Sequence, residues 1–329
     1  MKLTKRIFSL VLALVLALGV LAGCGSKEAE EEPATIRIGC MKGPTGMGLV
    51  KLFSDSDAGT AANTYTYQIA GSADELPPLL LQGELDVLAV PANLASVLYN
   101  KSEGAVQVLA VNTLGVLYLM EKGDSVTDWE SLKGQTIYAS GKGSSPEYVL
   151  NYLLEQHGLT VGTDVTVEWC SEHAEVVTKL AQADHAIALL PQPFVTVAQS
   201  KVEGLRVALD LTESWNELDN GSQCVTGCLV VRAAFAAEHP KAIAAFLEEY
   251  AASTDFANNS VSDCAALVEQ YGILEKAAIA EKAIPGCNIV CIAGADMKPM
   301  LAGYLQVLYE QNPASVGGTM PADDFYYGA

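Results

Sequence analysis

Residues 136–154, TIYASGKGSSPEYVLNYLL, have the form of a unit that stands one hundred positions earlier, TIRIGCMKGPTGMGLVKLF at 35–53, with Lys42-Gly43 matching Lys142-Gly143. Each copy begins with alternating β-formers and stops at a glycine-containing turn, the mark of a short strand. In the later copy Val149, Leu150, Leu153 and Leu154 fall on one helical face. Pro146 suits a first helical turn and holds Ser145 out of the α region. Ser145 is therefore expected as the N-cap, its hydroxyl accepting a backbone N–H. Lys142 and Ser144 would then lie beside the positive end of the helix dipole.

The echo continues downstream. YQIAGS at 67–72 resembles VEWCS at 167–171, and LLQGELDVLAVPANL at 80–94 aligns with LAQADHAIALLPQPF at 180–194. Each half reads strand, loop, helix, strand, helix, strand, proline loop. A repeat of this length is domain-sized, unlike the 20–50-residue period of a solenoid. The fold class that follows is α/β, with two similar open-sheet lobes.

The order of segments sharpens this. Strands are expected near 36–40, 65–69, 87–90 and 106–111 in the first lobe and near 136–139, 165–169 and 186–190 in the second. First-lobe helices are expected near 47–53, 74–82 and 93–99. The apolar run 108–120, broken at Gly115, and the run 224–232 are read as paired crossover strands, one entering the second lobe and the other returning. The expected organisation is 35–111 and 227–329 for the first lobe and 112–226 for the second. Residues 233–329 are read as mostly helical, with helices near 241–253, 263–271, 276–283 and 296–311. They would cover the first lobe's sheet, as parallel sheets require.

Residues 1–23 read as a secretory leader: Lys2, Lys5 and Arg6, then an apolar run at 7–22. That run is shorter than the roughly 20 residues needed to span a bilayer. Leu21-Ala22-Gly23-Cys24 resembles the bacterial lipoprotein cleavage box, which implies cleavage before Cys24 and lipid on its sulfur. Residues 24–34, with Lys27, Glu28, Glu30, Glu31, Glu32 and Pro33, read as a flexible tether. The net charge of −20 includes a leader with three cations and no acid, so the remainder is more acidic still. Such a surface repels nucleic acid and anionic lipid heads. It does not exclude a small anion, because surface charges beyond roughly 8 Å are screened.

Ligands in open α/β sheets bind beyond the carboxyl ends of the strands. The groups expected there are Lys42, Gly43, Thr45, Gly46, Met47, Ser72, Asn93, Ser140, Gly141, Gly143, Ser144, Ser145 and Gln192. In any single loop Gly and Ser merely permit a tight turn. The doubled pattern facing one cleft points instead to a pocket for a small polar or anionic solute. Neither loop has P-loop spacing. Cys170, His173 and His185 fall short of a full zinc set. No catalytic constellation stands out, and neither a metal nor a cofactor is expected. Besides Cys24 there are seven cysteines, an odd number. Cys224/Cys228 and Cys287/Cys291, if in strands, would each lie about 13 Å apart, too far to bridge. Most have apolar neighbours and read as small buried hydrophobes. Trp169 is the tryptophan expected to line the cleft.

At this point the residues resemble a known family. The lipobox, GELDVLAVPANLA, WESLKGQTIYASGKGSSPEYVLNYLL, LLPQPF and CLVVRAAFAAEHPKAIAAFL look like the solute-binding proteins of ABC importers that handle nitrate, sulfonates, taurine and thiamine-pyrimidine precursors. The resemblance implies the type 2 periplasmic-binding-protein fold, hinge closure on a solute, and delivery by a lipid-anchored monomer outside the cell membrane to a permease and its ATPase. It implies a site including the 42–47 loop, Asn93, the 140–145 loop and Gln192. No residue marks nitrate, sulfonate or pyrimidine. Pyrimidine-making enzymes also resemble this family, so an exported enzyme on the same scaffold is the alternative reading, with a ligand-sensing lipoprotein beside it.

Overall fold

Two mixed sheets carry the chain. The structure is a computed structural model that describes residues 33–71 and 75–329. The leader, Cys24 and Ser72 lie outside the described residues. Ala34–Ala329 form one unit.

The strands are β1 (Thr35–Met41), β2 (Thr64–Ala70), β3 (Val87–Pro91), β4 (Val106–Leu114), β5 (Leu117–Lys122), β6 (Thr136–Ser140), β7 (Thr166–Cys170), β8 (Ala186–Pro191), β9 (Leu205–Asp210), β10 (Val225–Arg232) and β11 (Ile289–Ala293). The first sheet has the order β11-β4-β10-β3-β1-β2 and the second β7-β6-β8-β5-β9. The repeat read from the sequence is visible in the register. Ile38 lies between Tyr67 of β2 and Val87 of β3, and Ile137 between Val167 of β7 and Ile187 of β8, all parallel.

Each sheet is completed by one antiparallel strand from outside its own βαβ run. β10 is wedged between β3 and β4, and β5 between β8 and β9. The expected run at 108–120 is thus two strands, parted at Gly115-Val116 and placed in different sheets. A side chain at Gly115 would meet Thr212, its Cβ 2.1 Å from Oγ1.

A buried carboxylate pins each wedge strand. Asp86 takes hydrogen bonds from Arg37 of β1 and Arg232 of β10, at 2.6 Å each to Oδ1. Burial alone would raise its pKa, but these arginines and the Arg37 N–H outweigh that and hold it below the usual carboxylate range. Glu121 of β5 is fully buried and binds Arg206 of β9, with Ser125, Val126 and His185 on its remaining lone pairs. Burial opposes ionisation there too, yet the donors from Ser125, Val126 and His185 bring its pKa down to about 2. The sequence aligns Asp86 with Asp184, but Asp184 is exposed. In the second lobe the equivalent ionic tie comes from Glu121.

The carboxyl-terminal region matches the expected helices closely but contains a strand that the sequence reading missed. Helices run Pro240–Asn259, Val261–Gln270, Ala277–Ala283 and Met297–Gln311, and β11 adds an edge to the first sheet. Its five residues, IVCIA, are too few for a periodicity argument. β9 was also missed, although Leu205, Val207 and Leu209 alternate with Arg206, Ala208 and Asp210. In the first lobe, the expected helix near 47–53 is two pieces, Pro44–Met47 and Val50–Asp57.

Among the described residues no helix is long and apolar enough to cross a membrane. All seven described cysteines are free, and six are buried. Burial raises the Cys40 and Cys224 thiols to about 12, so they pack as apolar groups. Trp129 and Trp215 are core residues, whereas Trp169 is half-buried.

Asp86→Ala leaves Arg37 and Arg232 without their shared partner. It is expected to cost about 3 kcal/mol, measured as the loss in urea-unfolding free energy at pH 7. Because the Asp86 pKa is depressed on folding, the wild type should hold this contribution above pH 4 and lose it as pH falls through the folded pKa, approaching the variant's stability.

Candidate functional site

The carboxyl ends of β1, β3, β6, β7 and β8 open toward the junction between the two sheets, and the lobes touch there. Asn93 enters on the first turn of the helix Ala92–Lys101, and Ser145 on the first turn of the helix Ser145–Gln156. Ser145 Oγ donates to Asn93 Oδ1 across the cleft at 3.2 Å, and both residues are buried. Asn93 Nδ2 donates in turn to the Ser315 carbonyl.

This corrects the expected role of Ser145. The N-cap is Ser144, and no side chain caps the helix. Ser144 Oγ donates instead to the Gly141 carbonyl at 2.6 Å. Pro146 does sit in the first turn, but the extended residue is one position earlier than expected.

A second contact lies on the other side of the cleft. Tyr118 of β5 donates to the Gly286 carbonyl, and a Cβ built on Gly286 would stand 3.1 Å from Gln192 Nε2. Gln192 Oε1 meanwhile accepts from Thr196 Oγ1 at 3.0 Å. Asn288, at φ 44°, donates to the Gly115 carbonyl at the crossover and accepts from the Leu114 N–H. An aromatic chain joins the lobes as well: Tyr152 packs on Trp215 and Trp215 on Tyr304, with centroids 4.8 and 5.6 Å apart.

Other expected site residues divide. Thr45, Asn93, Ser140, Ser145 and Gln192 are buried at the junction. Gly46 and Met47 turn into the first-lobe core, Met47 lying 3.8 Å from the Cys287 sulfur. Gly43 and Gly143 take positive φ, as Lys-Gly turns require. Gly141 also has positive φ and carries the Ser144 contact. Lys42 and Lys142 are exposed.

The second-lobe helix starts are already furnished with anions. Glu147 accepts from the Gly143 N–H at 2.5 Å, and Glu175 accepts from the Ser171 N–H at 2.9 Å. The Ser171 backbone and hydroxyl lower the Glu175 pKa. Sequence reasoning missed these carboxylates, although Ser144-x-x-Glu147 has the spacing of a capping box.

Ser140 Oγ lies 2.5 Å from His173 Nδ1, and the imidazole packs on Phe194 with centroids 4.6 Å apart. Burial lowers the His173 pKa to about 4, so it is neutral near pH 7. His185 serves Glu121 elsewhere, so the two histidines do not meet. A separate cavity of about 420 Å³ opens between the helix Pro240–Asn259 and β11, beside Asp255, Asn258 and Cys291. It lies at the first sheet's edge, where Ile289 pairs with Thr113 of β4.

The sequence-missed groups at the junction are Asn112 and Thr113, the last turn of β4 before the crossover. Both are fully buried, beside Gly227 of β10 and Thr45. They were hidden inside an apolar run read only as a strand.

The family model described as NMT1/THI5 like matches residues 59–260, more than half of the chain. The chain belongs to the NMT1/THI5-like family. No curated protein matches it. Among solved structures, an ABC transporter protein from Parabacteroides distasonis aligns with a TM-score of 0.75 at 22% identity, covering 89% of this chain and 98% of that one. The periplasmic aliphatic sulphonate-binding protein SsuA from Escherichia coli aligns with a TM-score of 0.70 at 17% identity, covering 87% and 91%. The alkanesulfonate-binding SsuA from Xanthomonas axonopodis pv. citri, bound to MOPS, gives 0.64 at 15% identity, covering 89% and 96%. The fold expectation is borne out: this is the type 2 periplasmic-binding-protein architecture, two sheets joined by crossovers.

The His173 shift gives a pH test. Its folded pKa lies below its unfolded value of about 6.5, so the unfolded chain binds more protons between these values. Stability attributable to this site is full above pH 6.5 and declines as pH falls toward 4. Chemical unfolding at pH 7 and pH 4.5 is expected to show a larger drop for the wild type than for His173→Gln.

Proposed function

We propose that the NMT1/THI5-like chain is an exported solute-binding protein that encloses a small solute between its lobes and delivers it to an ABC importer. The observation that carries this reading is the hydrogen bond from Ser145 to Asn93, which joins two helix starts from opposite lobes at the carboxyl ends of their strands. Contacts of this kind exist only when the lobes meet, so a solute held by both would shift the population toward the closed form. Solved structures with this fold include an ABC transporter protein and a periplasmic aliphatic sulphonate-binding protein, which supports the same direction.

In this reading residues 1–23 are removed, Cys24 carries lipid, and residues 24–34 tether the binding unit to the outer face of the membrane. Acyl chains contribute about 0.8 kcal/mol per buried CH₂, enough for stable anchoring when more than one is attached. Cys24→Ser is expected to move the protein from the membrane fraction to the soluble exported fraction, read by immunoblot after fractionation. Persistence in the membrane fraction would remove the lipid anchor from the proposal.

The Ser140–His173 pair favours a second reading, an enzyme on the same scaffold, since a hydroxyl beside an imidazole is a nucleophile–base geometry. Its weakness is the imidazole's pKa of about 4, set by burial, which makes it a poor base near neutrality. Turnover of a bound solute that His173→Ala abolishes would establish the enzyme reading.

The direct test of solute binding uses the protein lacking the leader, titrated with solute pools while thermal stability and small-angle scattering are followed. A true ligand stabilises by RT ln(1 + [L]/Kd), about 2.7 kcal/mol at one hundred times Kd, and reduces the radius of gyration. Neither effect from any cell extract would overturn the proposal.

A further inference from the structure

Among the described residues, three neighbouring polar side chains around the Gly115 crossover have buried atoms without a hydrogen-bond partner. Asn112 is fully buried, and neither its Oδ1 nor its Nδ2 has a partner. Thr113, also fully buried, has an unpartnered Oγ1, and so does Thr212 on the other side of the Gly115 crossover. Buried polar atoms are paired in the great majority of cases, so a row of three at a hinge asks for an explanation.

The backbone here is built to accommodate them. The β4–β10 ladder is irregular on both sides of Gly227, and such bulges re-aim side chains. A Cβ at position 227 would stand 2.5 Å from Asn112 Oδ1 and 2.8 Å from Thr45 Cγ2. Only glycine leaves Asn112 and Thr45 room to meet beside the loop that follows β1.

The electrostatics of the junction limit what those groups can read. Among the described residues no lysine or arginine is buried, and Lys42 and Lys142 are exposed. The buried carboxylates Asp86 and Glu121 are consumed by arginines away from the cleft. The helix starts that could receive an anion in the second lobe hold Glu147 and Glu175 instead. A sulfonate or nitrate enclosed here would be desolvated without a buried cation and would face the chain's own carboxylates, an arrangement that costs far more than a neutral group.

We propose that this cleft takes an uncharged solute presenting a hydrogen-bond donor beside an acceptor, of the carboxamide, lactam or ureide class, and that Asn112 with Thr113 reads that edge. The carboxamide of Asn112 offers one acceptor and two donors, and the Thr113 hydroxyl offers both roles. A planar amide edge is the complementary partner for that set. The inference rests on the solute-binding reading and sets this chain apart from the sulphonate-binding proteins that share its fold.

The test is a thermal-shift and calorimetric panel on the leader-free protein, with nicotinamide, 2-pyrrolidone and allantoin as neutral probes and nitrate, acetate and ethanesulfonate as anions. Stabilisation by a neutral probe is expected, with affinity reduced at least about tenfold by Asn112→Ala. A separate variant, Asn112→Leu, keeps the volume and removes no protein hydrogen bond. Its melting temperature without probe should equal or exceed that of the wild type, whereas a structural asparagine would lower it. An anion stabilising the protein more than every neutral probe would overturn the uncharged class while leaving solute binding intact. Unaltered affinity in Asn112→Ala would remove Asn112 from recognition. No response to the panel or to cell extracts would take down the solute-binding reading itself, and this inference with it.

Discussion

Two antiparallel strands, β5 and β10, hold this molecule together because each closes a sheet that its own repeat cannot complete. Without β10, β3 and β4 have no shared partner; without β5, β8 and β9 have none. The chain must leave the first sheet after β4, and it returns to it as β10 only once the second sheet is built. The junction is therefore crossed by the backbone rather than by a flexible linker. Relative movement of the lobes has to be absorbed at a few residues near Gly115 and in the segment preceding β10.

The ionic ties follow from that constraint. A central strand of a mixed sheet carries its own ladder, but its register at the open end is not fixed by a turn. Asp86 fastens the end of β10 through Arg232, and Glu121 fastens β5 to β9 through Arg206. Both carboxylates are buried, and the hydrogen bonds that satisfy them outweigh the penalty of burial. Among the described residues the buried polar side chains of the junction, Thr45, Asn93, Ser145 and Gln192, are uncharged. This division leaves the ion pairs to fix each lobe and the uncharged groups to meet between them. A cleft closed by amides and hydroxyls gains little from each contact, since a hydrogen bond contributes about 1 kcal/mol net. Weak, numerous contacts of that kind suit an interface that opens again.

Much of the lining of the junction between the lobes could be read from the sequence, and some of its contacts could not. The repeated Lys-Gly turns, Asn93 after the proline loop, and Gln192 in the matching loop were visible because turn residues and short strands leave local marks. Ser145 was placed in the right turn but given the wrong partner, since its hydroxyl goes to a residue 52 positions away rather than to its own helix. Glu147 went unassigned, although its spacing from Ser144 is that of a capping box; its carboxylate accepts from the Gly143 N–H instead. Met47 sat in a polar loop but packs inward, because the loop winds into a one-turn helix whose far side meets the core.

Asn112 and Thr113 mark the limit. Flanked by Val108, Leu109, Ala110 and Val111 on one side and Leu114 on the other, they belong to a run whose hydrophobicity announces a buried strand and nothing more. The sequence by itself determined two α/β lobes, their duplicate architecture and the loops that rim the cleft, because periodicity, glycine and proline act over a few residues. Only the tertiary structure decided which polar atoms meet across the junction and which are left without a partner, because that depends on β10 lying against β4 with Gly227 beside Asn112, a contact between segments more than a hundred residues apart.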